Sequence, residues 1–528
     1  MPRLLAMYGC MVAACYLSGA IAASQAPATS SAPASDQPVA DSPARWYVIT
    51  INDVPVGWSR TQTQSMDGGY KTESQTRLRM AREKQIIGMS TTAWVHEDHQ
   101  GHLVRAGQSQ TGGGMSVRMH WEKLENGVRE RRTQGAGMQE RLLPAIDKQA
   151  LGPVAALRAA QAARAAGKSD FTLLQFDPAQ GLQASLNRWQ KIEEASVVVA
   201  GQSLPCTRWK TSGPLIASGS EEWLNASGEI VLSQTPTGLG MLQNKLCDEA
   251  TALAAVNEAK PPVEVMVASF VKVDPPLNDV QGQRAMTFLV NAKKPPIMPP
   301  PQEGAQRVAR NSDGSFRVTI DLDKPAEPSL TSVAQDAAFM ESSPMIDWKD
   351  PAVMALKESV LAKWKLNEQA FTDANTQGDE VGKTLRKARA FRSAVANHIT
   401  TKNLGSAFGS ASETARAKSG DCTENAVLLA ALLRADGIPS RVAAGLVWAE
   451  YFAGEKNVFA WHLWTQALID GRWVDLDATL AADAQPFHVG HVLLAVTPLT
   501  DAASDPAWSS LLTSMGNLSI EVIGEQNQ

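Results

Sequence analysis

Short runs of alternating apolar and polar residues dominate the chain from about residue 45 onward. Runs such as WYVITIN, STTAWVHED and GEIVLSQTP have the length of strands, and turn-forming residues such as Asp67-Gly68-Gly69 separate them. Over residues 45–258 this alternation predicts a large antiparallel sheet of the half-open barrel kind. One helical stretch, near PVAALRAAQAARAAG, interrupts the strands.

Two further changes of pattern divide the rest of the chain. Residues 259–330 contain three more strand-like runs around the proline-rich connection PPIMPPP, which predicts a second β segment that links to the last domain. From about residue 331 the apolar positions recur with helical spacing, and strand-like runs return after Pro439. The pattern therefore predicts a multidomain α+β protein whose last domain spans residues 331–528.

The first residues follow neither pattern. Residues 1–23 combine Arg3, an apolar stretch of about 14 residues and an Ala-Ile-Ala site, which is the organisation of a signal peptide. Cys15 ends a lipobox-like Val-Ala-Ala-Cys sequence, so a lipid anchor at Cys15 stays open as an alternative. Residues 24–44 are rich in Ser, Ala and Pro and predict a flexible linker. We therefore expect a periplasmic or secreted protein.

Composition and charge exclude several classes of function. The composition, 44% hydrophobic and 20% charged, is ordinary for globular domains. At 528 residues the chain is too long to form a single hydrophobic core. The net charge of −5 predicts no nucleic-acid surface. After the signal, no apolar run reaches the ~18 residues of a transmembrane helix. We expect no metal site, because His96–His102 departs from H-E-x-x-H and lies in a predicted hairpin.

The residues that carry chemistry lie between positions 419 and 479. Cys422 opens an apolar run that ends at Gly437, which predicts a helix beginning at or just before Cys422, with Asp421 or Thr423 as its cap. Backbone N–H groups and the helix dipole stabilise a thiolate at such a position. A lone cysteine there is more often a small buried apolar residue, so its neighbours decide its role.

Two later residues complete a candidate site. His462 lies in the predicted strand AWHLWTQALI, and Asp477 ends the next predicted strand, RWVDLDAT, beyond an Asp-Gly turn. Antiparallel pairing would place His462 opposite Asp477, so that the carboxylate holds one imidazole nitrogen while the other faces Cys422. These residues would then act as nucleophile, base and orienting acid. Asp475 is an equal candidate for the acidic role on local sequence alone.

The stretches GDCTENAVLLAALLRADGIPSRVAAGLVW and AWHLWTQALIDGRWVDLDAT carry a family resemblance, with Cys, His and Asp in this order. They resemble the transglutaminase-like superfamily of papain-like cysteine enzymes. The resemblance implies a papain-like α+β catalytic domain without a cofactor, and catalytic residues Cys422, His462 and Asp477. It favours Asp477 over Asp475, because the family's tryptophan-containing strand ends in Asp-Pro/Ala-Thr. The N-terminal β region is similar to the domain that accompanies exported bacterial members.

The remaining cysteines and the tryptophans give two further predictions. Cys206 and Cys247 lie in one β-rich segment and form the natural disulfide pair of an exported protein, which leaves Cys422 as the free thiol. Three reduced, buried cysteines are the alternative. Trp461 and Trp464 flank the histidine and are predicted to contact substrate, with sheet packing as the alternative.

Together these observations predict an exported cysteine enzyme that attacks an amide or peptide carbonyl. A thioester would form on the cysteine, and water would then release the acyl group, as in a peptidase or amidase that acts on a protein or peptide. One alternative is a protein-crosslinking transamidase, in which an amine accepts the acyl group. The other is a non-catalytic envelope scaffold or binding protein, against which the intact Cys, His and Asp set argues. His488 and His491 are expected to be structural residues at the rim of the site.

Overall fold

The computed structural model describes residues 42–499, 511 and 514–525 apart from short internal segments, which are 83–84, 113–114, 135–136, 179–181, 183, 214–215, 238, 258–262, 265–266, 268, 274, 278, 294–298, 327–336, 372–379 and 403–408. The predicted signal peptide, Cys15 and most of the predicted linker lie outside the described residues. The chain divides into two compact units, with the division between residues 265 and 266.

The first unit consists mainly of strands. Its described strands are β1 (Arg45–Ile51), β2 (Val54–Met66), β3 (Gly69–Arg82), β4 (Gln85–Asp98), β5 (Leu103–Gly112), β6 (Met115–Leu124), β7 (Gly127–Gln134), β8 (Gly137–Leu143), β9 (Asp170–Phe176), β10 (Ala184–Val199), β11 (Gln202–Gly213), β12 (Ile216–Leu224), β13 (Ile230–Thr237), β14 (Gly240–Cys247) and β15 (Val263–Glu264). Helix α1 (Pro153–Ala165) is the predicted helical insertion, and α2 (Glu249–Ala254) is a short second helix.

The strands of the first unit belong to a single sheet. Their order is β8-β7-β6-β5-β4-β3-β2-β1-β14-β13-β12-β11-β10-β9, and β15 pairs with β3. Every neighbouring pair along this order is antiparallel. The large antiparallel sheet predicted from the alternating pattern is confirmed.

The predicted disulfide between Cys206 and Cys247 is wrong, because both are free thiols. Cys206 lies on β11 and Cys247 on β14, with β12 and β13 between them in the sheet. Neighbouring strands are about 4.8 Å apart, whereas a disulfide requires α-carbons within roughly 7 Å. The Cys206 sulfur instead contacts the Leu204 carbonyl at 3.5 Å, and the Cys247 sulfur contacts the Trp46 carbonyl at 3.7 Å.

The second unit combines helices with short sheets. Its described helices are α3 (Pro351–Phe371), α4 (Glu380–His398), α5 (Ala411–Ala417) and α6 (Cys422–Ala435), and a 3-10 turn covers Ala337–Phe339. Its described strands are β16 (Val271–Lys272), β17 (Ala285–Ala292), β18 (Gln306–Arg310), β19 (Phe316–Asp321), β20 (Thr401–Lys402), β21 (Ser419–Gly420), β22 (Ser440–Phe452), β23 (Glu455–Ile469), β24 (Arg472–Leu476), β25 (His491–Thr497) and β26 (Leu518–Glu525).

Two antiparallel sheets and one parallel pair of short strands, β20 with β21, form the described β part of this unit. The first sheet has the order β16-β23-β22-β25, with β24 paired to β23, and the second has the order β18-β19-β17-β26. Strands from the predicted second β segment, residues 259–330, belong to both sheets. The predicted multidomain α+β class is confirmed. Across the described part of the chain, each helix is too short or too polar to span a bilayer.

Helix α6 is the buried centre of the second unit. Its residues from Ala426 to Leu433 are at most 1% exposed, because the helix packs against β22 and β23 on one side and against the other helices around it. The Thr465 hydroxyl on β23 donates to the Ala426 carbonyl at 2.9 Å and ties the helix to the sheet. Such complete burial of an apolar run fixes where the first residue of the helix lies.

A capping box fixes the start of α6. The Asp421 carboxylate accepts a hydrogen bond from the Thr423 N–H, and the Glu424 carboxylate accepts one from the Asp421 N–H, each at 2.8 Å. Asp421 is therefore the cap, a point that the sequence left open between Asp421 and Thr423. At the other end Gly437 has a φ of +81°, which stops the helix as predicted.

Candidate active site

A two-residue turn brings β23 and β24 together. Asp470 and Gly471 have φ values of +51° and +71°, as a type I′ hairpin turn requires, and Ile469 pairs with Arg472 across it. Asn, Asp and Gly are the residues that tolerate these dihedral angles. The predicted Asp-Gly turn is confirmed, and it sets the register of the strands that carry the candidate site.

His462 and Asp477 meet across this hairpin, although not directly opposite each other. The register pairs Thr465 with Leu476, and its continuation sets Asp477 across from Trp464. The predicted direct pairing is therefore wrong by two residues. The Asp477 side chain reaches His462 diagonally, and His462 Nε2 donates to Asp477 Oδ2 at 2.8 Å. Diagonal neighbours on a sheet face are within reach of long side chains.

Cys422 lies on the other side of the imidazole. It is the first residue of α6 and is partly exposed. Its sulfur interacts with the His462 ring and raises the pKa of the imidazole. Asp477 occupies Nε2, which leaves Nδ1 as the nitrogen available to the sulfur. The structure thus brings together all three residues that the sequence predicted, with the imidazole between sulfur and carboxylate.

The charges around His462 favour its protonated form. Burial alone would lower its pKa, but the Asp477 carboxylate and the Cys422 sulfur outweigh burial and raise the pKa from 6.5 to about 10. Burial also opposes the charge on Asp477, yet His462 and His491 hold the pKa of Asp477 well below its usual range. At neutral pH the site therefore holds an imidazolium beside a carboxylate.

Asp475, the other acidic candidate, serves a different purpose. Its carboxylate accepts hydrogen bonds from Trp464 Nε1 at 2.8 Å, from Gln466 Nε2 at 2.7 Å and from the Ala305 N–H at 3.0 Å. Burial raises its pKa. None of these contacts reaches His462, so Asp477 is the carboxylate of the site.

The two flanking tryptophans differ in their surroundings. Trp464 is 1% exposed, and its ring stacks on the His462 ring with centroids 6.2 Å apart. It packs against the imidazole, which favours the alternative of sheet packing for Trp464. Trp461 is partly exposed, and its Nε1 donates to the Ser269 carbonyl at 3.1 Å. A contact between Trp461 and substrate stays a prediction.

Two residues that the sequence analysis missed hold Asp477 in place. The Thr479 hydroxyl and N–H donate to Asp477 Oδ1 at 2.6 and 2.8 Å. Arg392, which is 1% exposed on α4, donates through Nε to the Asp477 carbonyl at 2.7 Å and through Nη1 to the Ala482 carbonyl at 3.1 Å. The Asp-x-Thr spacing was a visible signal for Thr479. Nothing in the sequence relates Arg392 to a loop 85 residues away.

Arg392→Met should destabilise the second unit by about 3 kcal/mol, because it leaves buried carbonyl groups of the Asp477 loop without a donor. Urea denaturation followed by tryptophan fluorescence measures the change. Arg389→Met is the matched control, since Arg389 is an exposed arginine on the same helix and its loss should cost under about 0.5 kcal/mol. Equal midpoints for the two variants would contradict the role given to Arg392.

His491 is a second imidazole at the same carboxylate. The sequence analysis placed it at the rim, but it is 1% exposed, and its Nε2 lies 3.1 Å from Asp477 Oδ2. His462, Asp477 and His491 are also the described residues whose donor atoms come close enough, within 4.8 Å of one another, to hold a metal ion. Hydrogen bonds from the two imidazoles to one carboxylate oxygen account for the same short distances.

Part of this chain is similar to known proteins. Residues 369–478 match the family model described as the transglutaminase-like superfamily. A solved structure of a proposed cysteine protease from Cytophaga hutchinsonii is 19% identical, with a TM-score of 0.25 over 47% of this chain and 87% of that one. A proposed protease from Parabacteroides distasonis is 10% identical, with a TM-score of 0.14 over 71% of this chain and 68% of that one.

No curated protein matches the chain. The family match spans α4, α5 and α6 together with β22, β23 and β24, and it includes Cys422, His462 and Asp477. The second unit of this chain therefore contains a domain of the transglutaminase-like superfamily.

Proposed function

We propose that the second unit is a cysteine enzyme that hydrolyses an amide or peptide bond through a thioester on Cys422. The observation that carries this proposal is the position of His462, which lies between the Cys422 sulfur and the Asp477 carboxylate. Nucleophile, base and orienting acid are recognised by such contacts rather than by sequence position. The signal-peptide pattern of residues 1–23 supports the further proposal that the enzyme works outside the cytoplasm, on a protein or peptide.

In the acylation step the Cys422 thiolate attacks the carbonyl carbon of the substrate. A C–S bond forms, and the π electrons of the carbonyl move onto its oxygen. The helix start supplies backbone N–H groups that favour this oxyanion. When the tetrahedral intermediate collapses, the C–N bond breaks, and the His462 imidazolium gives its Nδ1 proton to the leaving amine. A thioester and a neutral imidazole remain.

The deacylation step runs these roles in reverse. Neutral His462 takes a proton from a water molecule, whose oxygen attacks the thioester carbon. Collapse of this second intermediate breaks the C–S bond, releases the carboxylic acid and restores the thiolate and the imidazolium. Throughout the cycle Asp477 accepts a hydrogen bond from Nε2, which keeps Nδ1 directed at the sulfur.

Alkylation with iodoacetamide tests the proposal without a known substrate. At pH 6, Cys422 should react at least about tenfold faster than free cysteine, because it lies at the start of a helix and interacts with the positively charged His462 ring. His462→Ala should reduce the rate to that of an ordinary thiol. Peptide mapping by mass spectrometry assigns each adduct to its cysteine.

The chain contains its own control for this experiment. Cys247 is a free thiol in the first unit, and burial raises its pKa to about 11. It should stay unmodified under the same conditions. An ordinary rate at Cys422, unchanged in the His462→Ala variant, would remove the basis for the proposed function.

A labelled primary amine separates hydrolysis from acyl transfer. The enzyme is incubated with an internally quenched peptide library in the presence of dansyl cadaverine, and the products are identified by mass spectrometry. We expect free acids as the products. Incorporation of the amine into peptide would instead identify a transamidase.

A further inference from the structure

We propose that His491 is a positioning residue of the site, whose Nε2–H holds the Asp477 carboxylate in the orientation that serves His462. The inference rests on the proposed function for its catalytic meaning, but it stands on separate contacts. It adds a second imidazole to a Cys, His and Asp set that already has its three members.

The hydrogen bonds of His491 leave its ring little freedom. Nδ1 lies 3.0 Å from the His488 carbonyl oxygen, and Nε2 lies 3.1 Å from Asp477 Oδ2. Both acceptors are oxygen atoms that carry no proton, so a ring nitrogen can meet either of them only as an N–H donor. The His488 carbonyl belongs to the turn just before β25, which anchors the ring to the backbone.

Aromatic rings pack closely around His491. Its side chain is fully buried, with the Phe487 ring 4.3 Å away, the His488 ring 4.3 Å away and the Trp464 ring 5.3 Å away. His488 contributes no charge, because burial lowers its pKa to about 2, and it accepts the Gly490 N–H at Nδ1. A ring that is fixed in this way presents its Nε2–H to Asp477 without further loss of entropy.

The arrangement around Asp477 divides its two oxygens between two tasks. Oδ1 accepts both hydrogen bonds of Thr479, which fixes the plane of the carboxylate. Oδ2 accepts from both imidazoles, at 2.8 Å from His462 and at 3.1 Å from His491. His491 therefore donates to the same carboxylate oxygen that orients the His462 imidazole. Among the described residues, His491 is the donor to Oδ2 that acts beside His462.

Two substitutions at His491 separate positioning from packing. His491→Gln places an amide N–H near the position of Nε2, whereas His491→Asn places one near the position of Nδ1 and loses the contact to Asp477. We expect His491→Asn to lower the rate of Cys422 alkylation by iodoacetamide at pH 6 roughly tenfold, the effect of losing one hydrogen bond to a charged group. His491→Gln should stay within about threefold of the wild type. Each alkylation rate is divided by the fraction of that variant that is folded.

His398→Gln is the control for substituting a histidine in the same unit. His398 ends α4, and its Nε2 lies 2.8 Å from the Ala415 carbonyl, away from the site. Its alkylation rate should equal that of the wild type. Equal rates for the Asn and Gln variants of His491, whether both are reduced or both normal, would overturn the positioning role.

A second measurement distinguishes this inference from the proposed function. In the full chain with ¹⁵N-labelled histidine, the Nε2–H proton of His462 on Asp477 should give a low-field resonance that shifts in His491→Asn and not in His398→Gln. If this shift occurs while Cys422 reacts as an ordinary thiol, the enzyme proposal fails and the positioning role stands. If Cys422 is highly reactive and the resonance does not move, the positioning role is overturned.

Discussion

Cys422→Ala is expected to lower peptide-amide cleavage by at least about 10⁴-fold, because the first covalent bond of the reaction cannot form without the sulfur. The residue is partly exposed and is not part of the apolar run from Ala426 to Leu433, so the substitution should leave the fold intact. Initial rates on the internally quenched peptide library measure the loss. The urea denaturation midpoint of the variant should match that of the wild type.

The other thiols provide the comparison. Cys206→Ala removes a buried cysteine of the first unit and should leave the rate per folded molecule unchanged. Cys422→Ser keeps the size of the side chain but replaces the thiolate by a hydroxyl, and it should be nearly as inactive as alanine. A Cys422→Ala variant that retains a tenth of the activity would show that another group performs the chemistry.

Asp477→Asn should reduce the cleavage rate by about 10²–10⁴-fold, the range for loss of acid–base catalysis. The amide is nearly isosteric but carries no charge. Burial lowers the pKa of His462, and the negative charge of Asp477 would no longer offset that effect. The pKa of His462 should therefore fall from its value of about 10. Less imidazolium would then be available to protonate the leaving amine.

The sign of the pH dependence follows from the same shift. In the native protein the pKa of His462 is raised from 6.5 to about 10. The stability that its protonated form contributes is therefore complete below pH 6.5 and is lost as the pH rises through 10. Activity should therefore decline on the alkaline side near pH 10. In Asp477→Asn this alkaline decline should move to lower pH.

Asp475→Asn is the matched control, since Asp475 is a partly buried carboxylate of the same hairpin but contacts Trp464, Gln466 and Ala305 instead of the imidazole. It should change stability more than it changes the pH profile. If Asp475→Asn shifts the alkaline decline and Asp477→Asn does not, the acidic role belongs to Asp475.

Local chemistry made parts of this structure predictable. The bounds of α6 followed from an acidic cap, an apolar run and a glycine that stops the helix, and all three act within a few residues of one another. The hairpin turn at Asp470 and Gly471 was equally local. These two elements hold Cys422 and His462, which explains why the sequence alone predicted the site.

Contacts set by sheet order were not predictable in this way, whereas the register of the hairpin was. The two-residue turn at Asp470 and Gly471 fixes the pairing of Thr465 with Leu476, and the predicted direct pairing of His462 with Asp477 departs from that register by two residues. The Cys206–Cys247 pairing failed because two intervening strands separate residues of one β-rich segment. His491 follows Asp477 by 14 residues through a loop, and no sequence period describes a loop.

Glu424 makes the start of α6 sensitive to acidity. Burial and the neighbouring Asp421 raise its pKa from 4.5 to about 7, so the folded chain keeps a proton there that the unfolded chain would release. The stabilisation is complete below pH 4.5 and is lost as the pH climbs through 7. Above that point two carboxylates lie within one helical turn, and their repulsion weakens the capping of α6. Mild acid therefore stabilises the start of this helix more than mild base does.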